Sequence, residues 1–498
     1  MGPQLSRLGA RAAALTAVTL LTGLVDCPPI ALALDPPSVD PALVPADGTP
    51  GPDGPLRRSN SCSVPITVAD PDPARLAPGF DLLGIADAWR YSTGNGVAVA
   101  VIDTGVTPGP RLPVIAGGDY LTGGADGPPG LQDCDAHGTI AASIIAAAPQ
   151  GAIPMPRPMP EVPAFPPPAG VPEPPPPDPP ADDGAPDGVV GVAPHARIIS
   201  IRQSSRAFEP AGFTADEQVK AGTLATLAKA VVHAADLGAK VINISVTSCT
   251  PAGATVDQQT LGAALWYAAT VKDAVIVTAA GNVGEAGCAN NPMFDPLDPG
   301  DPRDWHQVRV ISSPSWFADY VLSVGGVDTT GAPLDKSMTG PWVGVAAPAT
   351  QILGLSPQGG GPVNAYPPPR AGEPAIPFWG TSFSAAYVSG VAALVRAKYP
   401  DLTAHQVIER IVQTAHNPPA GVDNRVGYGL VDPVAALTFD VRPGHRVAPG
   451  AETRVLHPVP PPPPPDHRAR SVALGFLGVV ALAAVGTAIT DRIRRATR

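Results

Sequence analysis

Four short stretches of the chain, residues 97–102, 196–201, 241–246 and 274–279, are almost wholly apolar. Unbroken rather than alternating apolar runs are what strands buried on both faces carry. Longer stretches with helical spacing stand between them, among them 224–237 and 258–270. This order of buried strand and helix predicts an α/β fold: a doubly wound, mostly parallel sheet with helices on both faces. In such sheets functional groups gather outside the carboxyl ends of the strands.

Two further apolar runs fall outside that rhythm. Arg7 and Arg11 precede residues 12–25, and the small residues Ala31 and Ala33 follow. The pattern predicts a secretory signal peptide over 1–33. Cys27 comes after Asp26, where a lipid-anchored signal needs a small residue, so no lipid anchor is expected. At the other end, 472–490 carries no charge. At ~1.5 Å per residue its helix would span about 28 Å, the thickness of the hydrocarbon layer, and a transmembrane helix is predicted there. Arg492, Arg494, Arg495 and Arg498 follow, which marks 491–498 as a basic cytoplasmic tail. The body is then extracytoplasmic, single-pass and tethered to the cell membrane by its C-terminal helix.

Composition refines the picture. Apolar residues make up 44% of the chain and charged ones 15%, which excludes a wholly disordered chain. A net charge of −11 argues against a nucleic-acid partner. Proline, 67 of 498 residues, is concentrated in three stretches. Residues 34–79 read as an extended N-terminal arm and 438–471 as a proline-rich stalk leading to the membrane. Between them, 149–186 contains 17 prolines, a density that no helix or strand survives, and is a polyproline-type insertion. The folded body is 80–437.

Four motifs mark the predicted strand ends and helix starts. They are Asp103-Thr104-Gly105, Asp135-Ala136-His137-Gly138-Thr139, Ala279-Ala280-Gly281-Asn282 and Gly380-Thr381-Ser382-Phe383-Ser384-Ala385-Ala386. Singly, each has an ordinary reading: a turn aspartate, a structural histidine, a strand-closing amide, a serine capping its helix. In this chain order, each with its own glycine, they resemble the subtilisin-like serine proteases, whose order is Asp, His, Ser. Gly191-Val192-Ala193-Pro194, Val241-Ile242-Asn243-Ile244-Ser245, Ala346-Ala347-Pro348 and Gly427-Tyr428-Gly429-Leu430-Val431-Asp432 extend the resemblance over about 80–437.

The resemblance implies a peptide hydrolase with catalytic Asp103, His137 and Ser382 and an oxyanion hole containing Asn282. It also implies substrate-binding positions at Ser245 and Val246. The mechanism calls for no metal and no cofactor; the aspartates of 295–304 are not read as a calcium loop. Two departures narrow the family. Ile140 stands where many relatives have a second histidine, and Val246-Thr247 where Leu-Gly or Trp-Gly is usual. With Gly117-Gly118-Asp119-Tyr120, Asp133-Cys134-Asp135-Ala136-His137 and Ile201-Arg202-Gln203-Ser204-Ser205, they resemble the mycosins, the membrane-anchored subtilases of type VII secretion systems. The partners so implied are an exported protein or peptide substrate and the secretion membrane complex. The alternative reading is a mainly structural role in that complex, with proteolysis secondary.

Once Cys27 leaves with the signal, four cysteines remain, allowing three pairings. Strands 241–246 and 274–279 should be neighbours, so Cys249 and Cys288, which follow them, can meet. Cys62 in the arm is then left for Cys134, three residues before His137. An arm tied there need not be released as a propeptide, and the resemblance implies that it is kept.

Overall fold

The computed structural model describes residues 34–449, save 152, 161–184, 212–220, 255, 286, 294–300 and 302, with scattered helical positions from 482 to 494. It divides into two units, Met1–Ala451 and Glu452–Arg498. The predicted signal peptide, most of the proline-rich insertion and stalk, and most of the membrane helix and tail lie outside the described residues. Among the described residues no helix is long and apolar enough to cross a membrane.

The first unit is organised by a seven-stranded sheet. Its strands are β1 (Ala98–Asp103), β2 (Val114–Asp119), β3 (Arg197–Arg202), β4 (Val241–Ile244), β5 (Val275–Ala279), β6 (Val321–Val327) and β7 (Val343–Pro348), in the order β7-β6-β5-β4-β1-β3-β2. Every pairing in it is parallel. The chain starts in the middle and adds β2 and β3 on one side. It then returns to place β4 on the other side of β1. That reversal leaves a crevice at the carboxyl ends of β1 and β4.

The unbroken apolar runs have a two-sided explanation. Val99 and Val101 of β1 face one core layer, while Ala98, Ala100 and Ile102 face the other. Both faces must therefore be apolar, because each is covered. Helices α1 (His137–Ala146) and α4 (Thr381–Lys398) lie on the first face, α2 (Leu224–Asp236) and α3 (Gln259–Trp266) on the second. Helix α2 begins with a capping box in which Thr223 and Thr226 bond each other's backbone N–H groups, satisfying donors that a helix start leaves free. Helix α3 stops before the sequence pattern does, passing into a wider turn at Tyr267–Val271.

Helix α4 is buried from Thr381 to Arg396, which accounts for its small side chains. At Gly390 the approach is tight: a Cβ there would stand 2.5 Å from Val192 Cβ. The helix that begins at Ser382's turn is thus seated by a residue that has no side chain.

The N-terminal arm is bound along the body. Its Leu56–Arg58 pairs antiparallel with Phe208–Pro210, Ser63 N donates to Cys134 O at 2.8 Å, and Ile66 bridges to Ala365. Two disulfides are formed, Cys62–Cys134 and Cys249–Cys288.

Gly390→Val is expected to lower the unfolding free energy by about 1–3 kcal/mol through overpacking. The measurement is the denaturant midpoint of the full chain. An unchanged midpoint would mean that α4 and Val192 separate freely.

Candidate active site

Asp103 is the last residue of β1 and is fully buried. A carboxylate taken from water needs donors. Its Oδ1 accepts from His137 Nδ1 at 2.8 Å and from Thr104 N at 2.7 Å. Burial alone would raise its pKa, but the charge and hydrogen bond of His137 and the Thr104 N–H together hold it below the usual aspartate value. The Ser245 hydroxyl adjoins the same carboxylate and accepts from Asn243 Nδ2 at 2.7 Å.

His137 opens α1. Burial pulls its pKa down, and the charge and hydrogen bond of Asp103 outweigh that, so the net shift is upward. With Asp103 ionised, Nδ1 carries the proton given to it, and Nε2 is left as the ring's acceptor. Phe383 flanks the ring, with centroids 5.0 Å apart.

Asp133 holds the turn into α1. Its Oδ1 accepts from Thr104 Oγ1 at 2.8 Å and Asp135 N at 3.1 Å. Its Oδ2 accepts from Thr139 N at 2.8 Å and Thr139 Oγ1 at 2.7 Å. Thr104 Oγ1 in turn accepts from Gly138 N at 2.9 Å. This buried carboxylate therefore ties the end of β1 to the start of α1 and sets His137 against Asp103. Burial pushes its pKa up to about 7; the hydrogen bonds from Thr139 and Thr104 oppose the rise, and the charge of Asp103 adds to it. Ala136, just before His137, has φ +66°, a left-handed conformation that costs an alanine ~1–2 kcal/mol. The turn is held in place by Asp133 on one side and the Cys62–Cys134 bond on the other.

Ser382 is the second residue of α4 and is buried, with 7% of its surface exposed. Gly380 before it has φ +140°, a region open to glycine, which lets the chain turn sharply into the helix. The Ser382 hydroxyl donates to Ser245 O at 3.0 Å; among the described residues it makes no hydrogen bond to His137. Asn282 follows β5. Its Oδ1 accepts from Thr381 N at 3.0 Å and Thr381 Oγ1 at 3.1 Å, and Thr381 Oγ1 accepts from Gly281 N at 3.2 Å. The amide is therefore oriented with its NH₂ away from Thr381. Ser245 sits directly beyond β4, whereas Val246 is half-buried and packs against the layer of α2 and α3.

The four residues singled out for chemistry thus lie on the carboxyl edge of the sheet or at helix starts facing it. The supporting residues Asp133, Thr104, Thr139 and Thr381 all fall inside the motifs quoted above, but the sequence assigned none of them a role. Among the described residues no cluster of His, Cys, Asp or Glu is suited to a metal.

The subtilase family matches residues 94–429. Mycosin-2 of Mycobacterium tuberculosis strain H37Rv is 65% identical, covering 100% of both chains. The crystal structure of MycP1 from Mycobacterium smegmatis matches with a TM-score of 0.72 at 44% identity, covering 85% of this chain and 99% of that one. A structure of the periplasmic assembly from the ESX-5 inner membrane complex contains a chain that matches with a TM-score of 0.71 at 47% identity, over 87% of this chain and 100% of that one.

Asp133→Asn sets an NH₂ against the donors on one side and is expected to cost about 1–3 kcal/mol of stability. Its pH signature is specific. Burial pushes the folded pKa up to about 7, above the ordinary aspartate value of 3.8, so stability present below that ordinary value is lost as pH rises through about 7. Unfolding measured from pH 4 to 8 should show that decline in the parent chain and a flatter profile in the variant.

Proposed function

The chain belongs to the subtilase family and, within it, to the mycosins; it is a subtilisin-like serine peptidase, and we propose that Asp103, His137 and Ser382 are its catalytic triad. The observation that carries this reading is the 2.8 Å bond from His137 Nδ1 to the buried Asp103 at the sheet edge onto which the Ser382 helix opens. The Ser382 hydroxyl attacks a peptide carbonyl, His137 Nε2 takes its proton, and the same proton passes to the departing amine. Asp103 keeps Nδ1 protonated and stabilises the imidazolium. To reach Nε2 the hydroxyl leaves the Ser245 carbonyl by rotating about its Cα–Cβ bond between staggered positions. Asn282 Nδ2 and the backbone N–H of Ser382 stabilise the oxyanion. Loss of one such donor in subtilisin itself costs about 10²–10³-fold in turnover. Ser245 and Val246 line the groove in which substrate adds as a strand.

The substrate is a protein exported by a type VII secretion system, cut outside the cytoplasm. Residues 1–33 are a cleaved signal, 34–79 a retained arm, 80–437 the protease domain, 438–471 a stalk, and 472–490 the single membrane span. Relatives solved within the ESX-5 inner membrane complex favour a second reading alongside the first: this body is also a structural member of a secretion membrane complex.

Fluorophosphonate labelling of the full chain is expected to modify Ser382 and to vanish in Ser382→Ala. Its rate should rise as His137 loses a proton. Because Asp103 raises the His137 pKa, the midpoint should lie above the ordinary histidine value of about 6.5. Asp103→Asn should lower both the midpoint and the rate, the latter by about 10⁴. Labelling at another serine would remove the triad reading.

In cells, Ser382→Ala should stop processing of an exported protein while leaving secretion intact. Loss of secretion in that variant, with the chain present at normal level, would tie the structural role to catalysis.

A further inference from the structure

Asn282 Nδ2 carries two hydrogens, and one is engaged: it points to Glu285 Oε1 at 3.4 Å. The same Oε1 lies 3.9 Å from Arg206 Nη2. Neither contact belongs to the triad, and no sequence motif pointed to either residue. Arg206 follows β3 and Glu285 follows β5, and in the sheet β1 and β4 run between those two strands. The ion pair therefore joins loops on either side of the edge that carries Asp103 and Ser245.

Each end is separately stapled. Arg206 N donates to Asp135 Oδ1 at 2.8 Å, and Arg206 O accepts from Asn60 Nδ2 at 2.9 Å. Asn60 belongs to the arm, which the Cys62–Cys134 bond fixes beside His137. Opposite, Glu285 N donates to Asn282 O at 3.2 Å and Cys288 N to Glu285 O at 2.9 Å, in a turn closed by the Cys249–Cys288 bond. The two disulfides hold the two banks from which the charges meet.

We propose that Glu285 and Arg206 are positioning residues of the oxyanion site: Glu285 aims the Asn282 amide, and Arg206 neutralises the carboxylate that does so. The inference rests on the assignment of Asn282 as an oxyanion donor. With Oδ1 fixed by Thr381 and one Nδ2 hydrogen held by Glu285, the remaining hydrogen has a set direction, and no reorganisation is needed when charge develops. The arrangement carries a penalty, because an anionic carboxylate on the same amide repels the oxyanion. Arg206 offsets that repulsion. Its side chain is 72% exposed and that of Glu285 32%, so the pair is weakly bound and substrate can shift it without breaking the fold.

The test is fluorophosphonate labelling of the full chain, with kinact and KI separated, on the alkaline plateau where His137 is neutral in every variant. The phosphonyl oxygen enters the oxyanion site, so kinact reads its electrostatics. Arg206→Ala is expected to lower kinact about 2–5-fold, the range for a partly exposed ion pair, with KI little changed. Glu285→Gln, which keeps an acceptor but removes the charge, should label at least as fast as the parent. Its combination with Arg206→Ala should match Glu285→Gln alone. A loss from Arg206→Ala that persists in the Glu285→Gln background, or no change in any of the three, overturns the proposal. Asn282→Ala separates the premise: if it leaves kinact unchanged, the oxyanion assignment fails and the inference with it, whereas a slow Asn282→Ala beside unaffected charge variants rejects the inference alone.

Discussion

A carboxylate buried at the end of a central strand is expensive unless donors surround it, and the arrangement around Asp103 follows from that constraint. Its two nearest donors are the Thr104 N–H and His137 Nδ1. The first comes with the strand end, but the second has to be delivered from a helix thirty-odd residues later. Asp133 performs the delivery, collecting four donors from Thr104, Asp135 and Thr139. The result is two buried carboxylates in one network, whose pKa values move in opposite directions because one faces an imidazole and the other only neutral donors.

The same economy of position recurs at the serine. Helix α4 is buried through nearly its whole length, so the first turn cannot drift with solvent. Thr381 spends its backbone N–H and its hydroxyl on the Asn282 amide, and the preceding glycine allows the sharp entry. Ser389 on the same helix donates to Asn243 of β4 at 2.9 Å, and Asn243 passes the contact to Ser245. Helix α4, the central strand β4 and Ser245 beyond it are thereby one connected piece. Ser382 itself donates to the Ser245 carbonyl, which ties the start of α4 to the residue after β4.

The arm and the two disulfides belong to the site as much as to the surface. Cys134 lies within the turn that Asp133 organises, and Cys62 anchors there a segment that also bonds the loop after β3. A crosslink constrains mainly the unfolded chain, and this one is placed two residues before the left-handed turn at Ala136. Removal of the arm would take away partners of Arg206 and Cys134 together.

The chain's own pattern marked four of the seven strands, β1, β3, β4 and β5, because strands covered on both faces must be apolar and runs such as 97–102 have no other use; β2, β6 and β7 were not read from it. It also marked out Asp103, His137, Asn282 and Ser382, since each stands in a distinctive local motif. What it left undecided was everything set by contact between distant segments. Asp133 and Glu285 look in sequence like any other acid in a chain with 43 of them. Only folding gives one of them four donors and places the other on an amide that is already spoken for. Thr381 likewise reads as an ordinary helix-start threonine until Asn282 is brought to it. Local sequence encodes backbone conformation and side-chain type, whereas pKa, amide orientation and charge compensation depend on what lies across the crevice, and those neighbours come from the far ends of other strands.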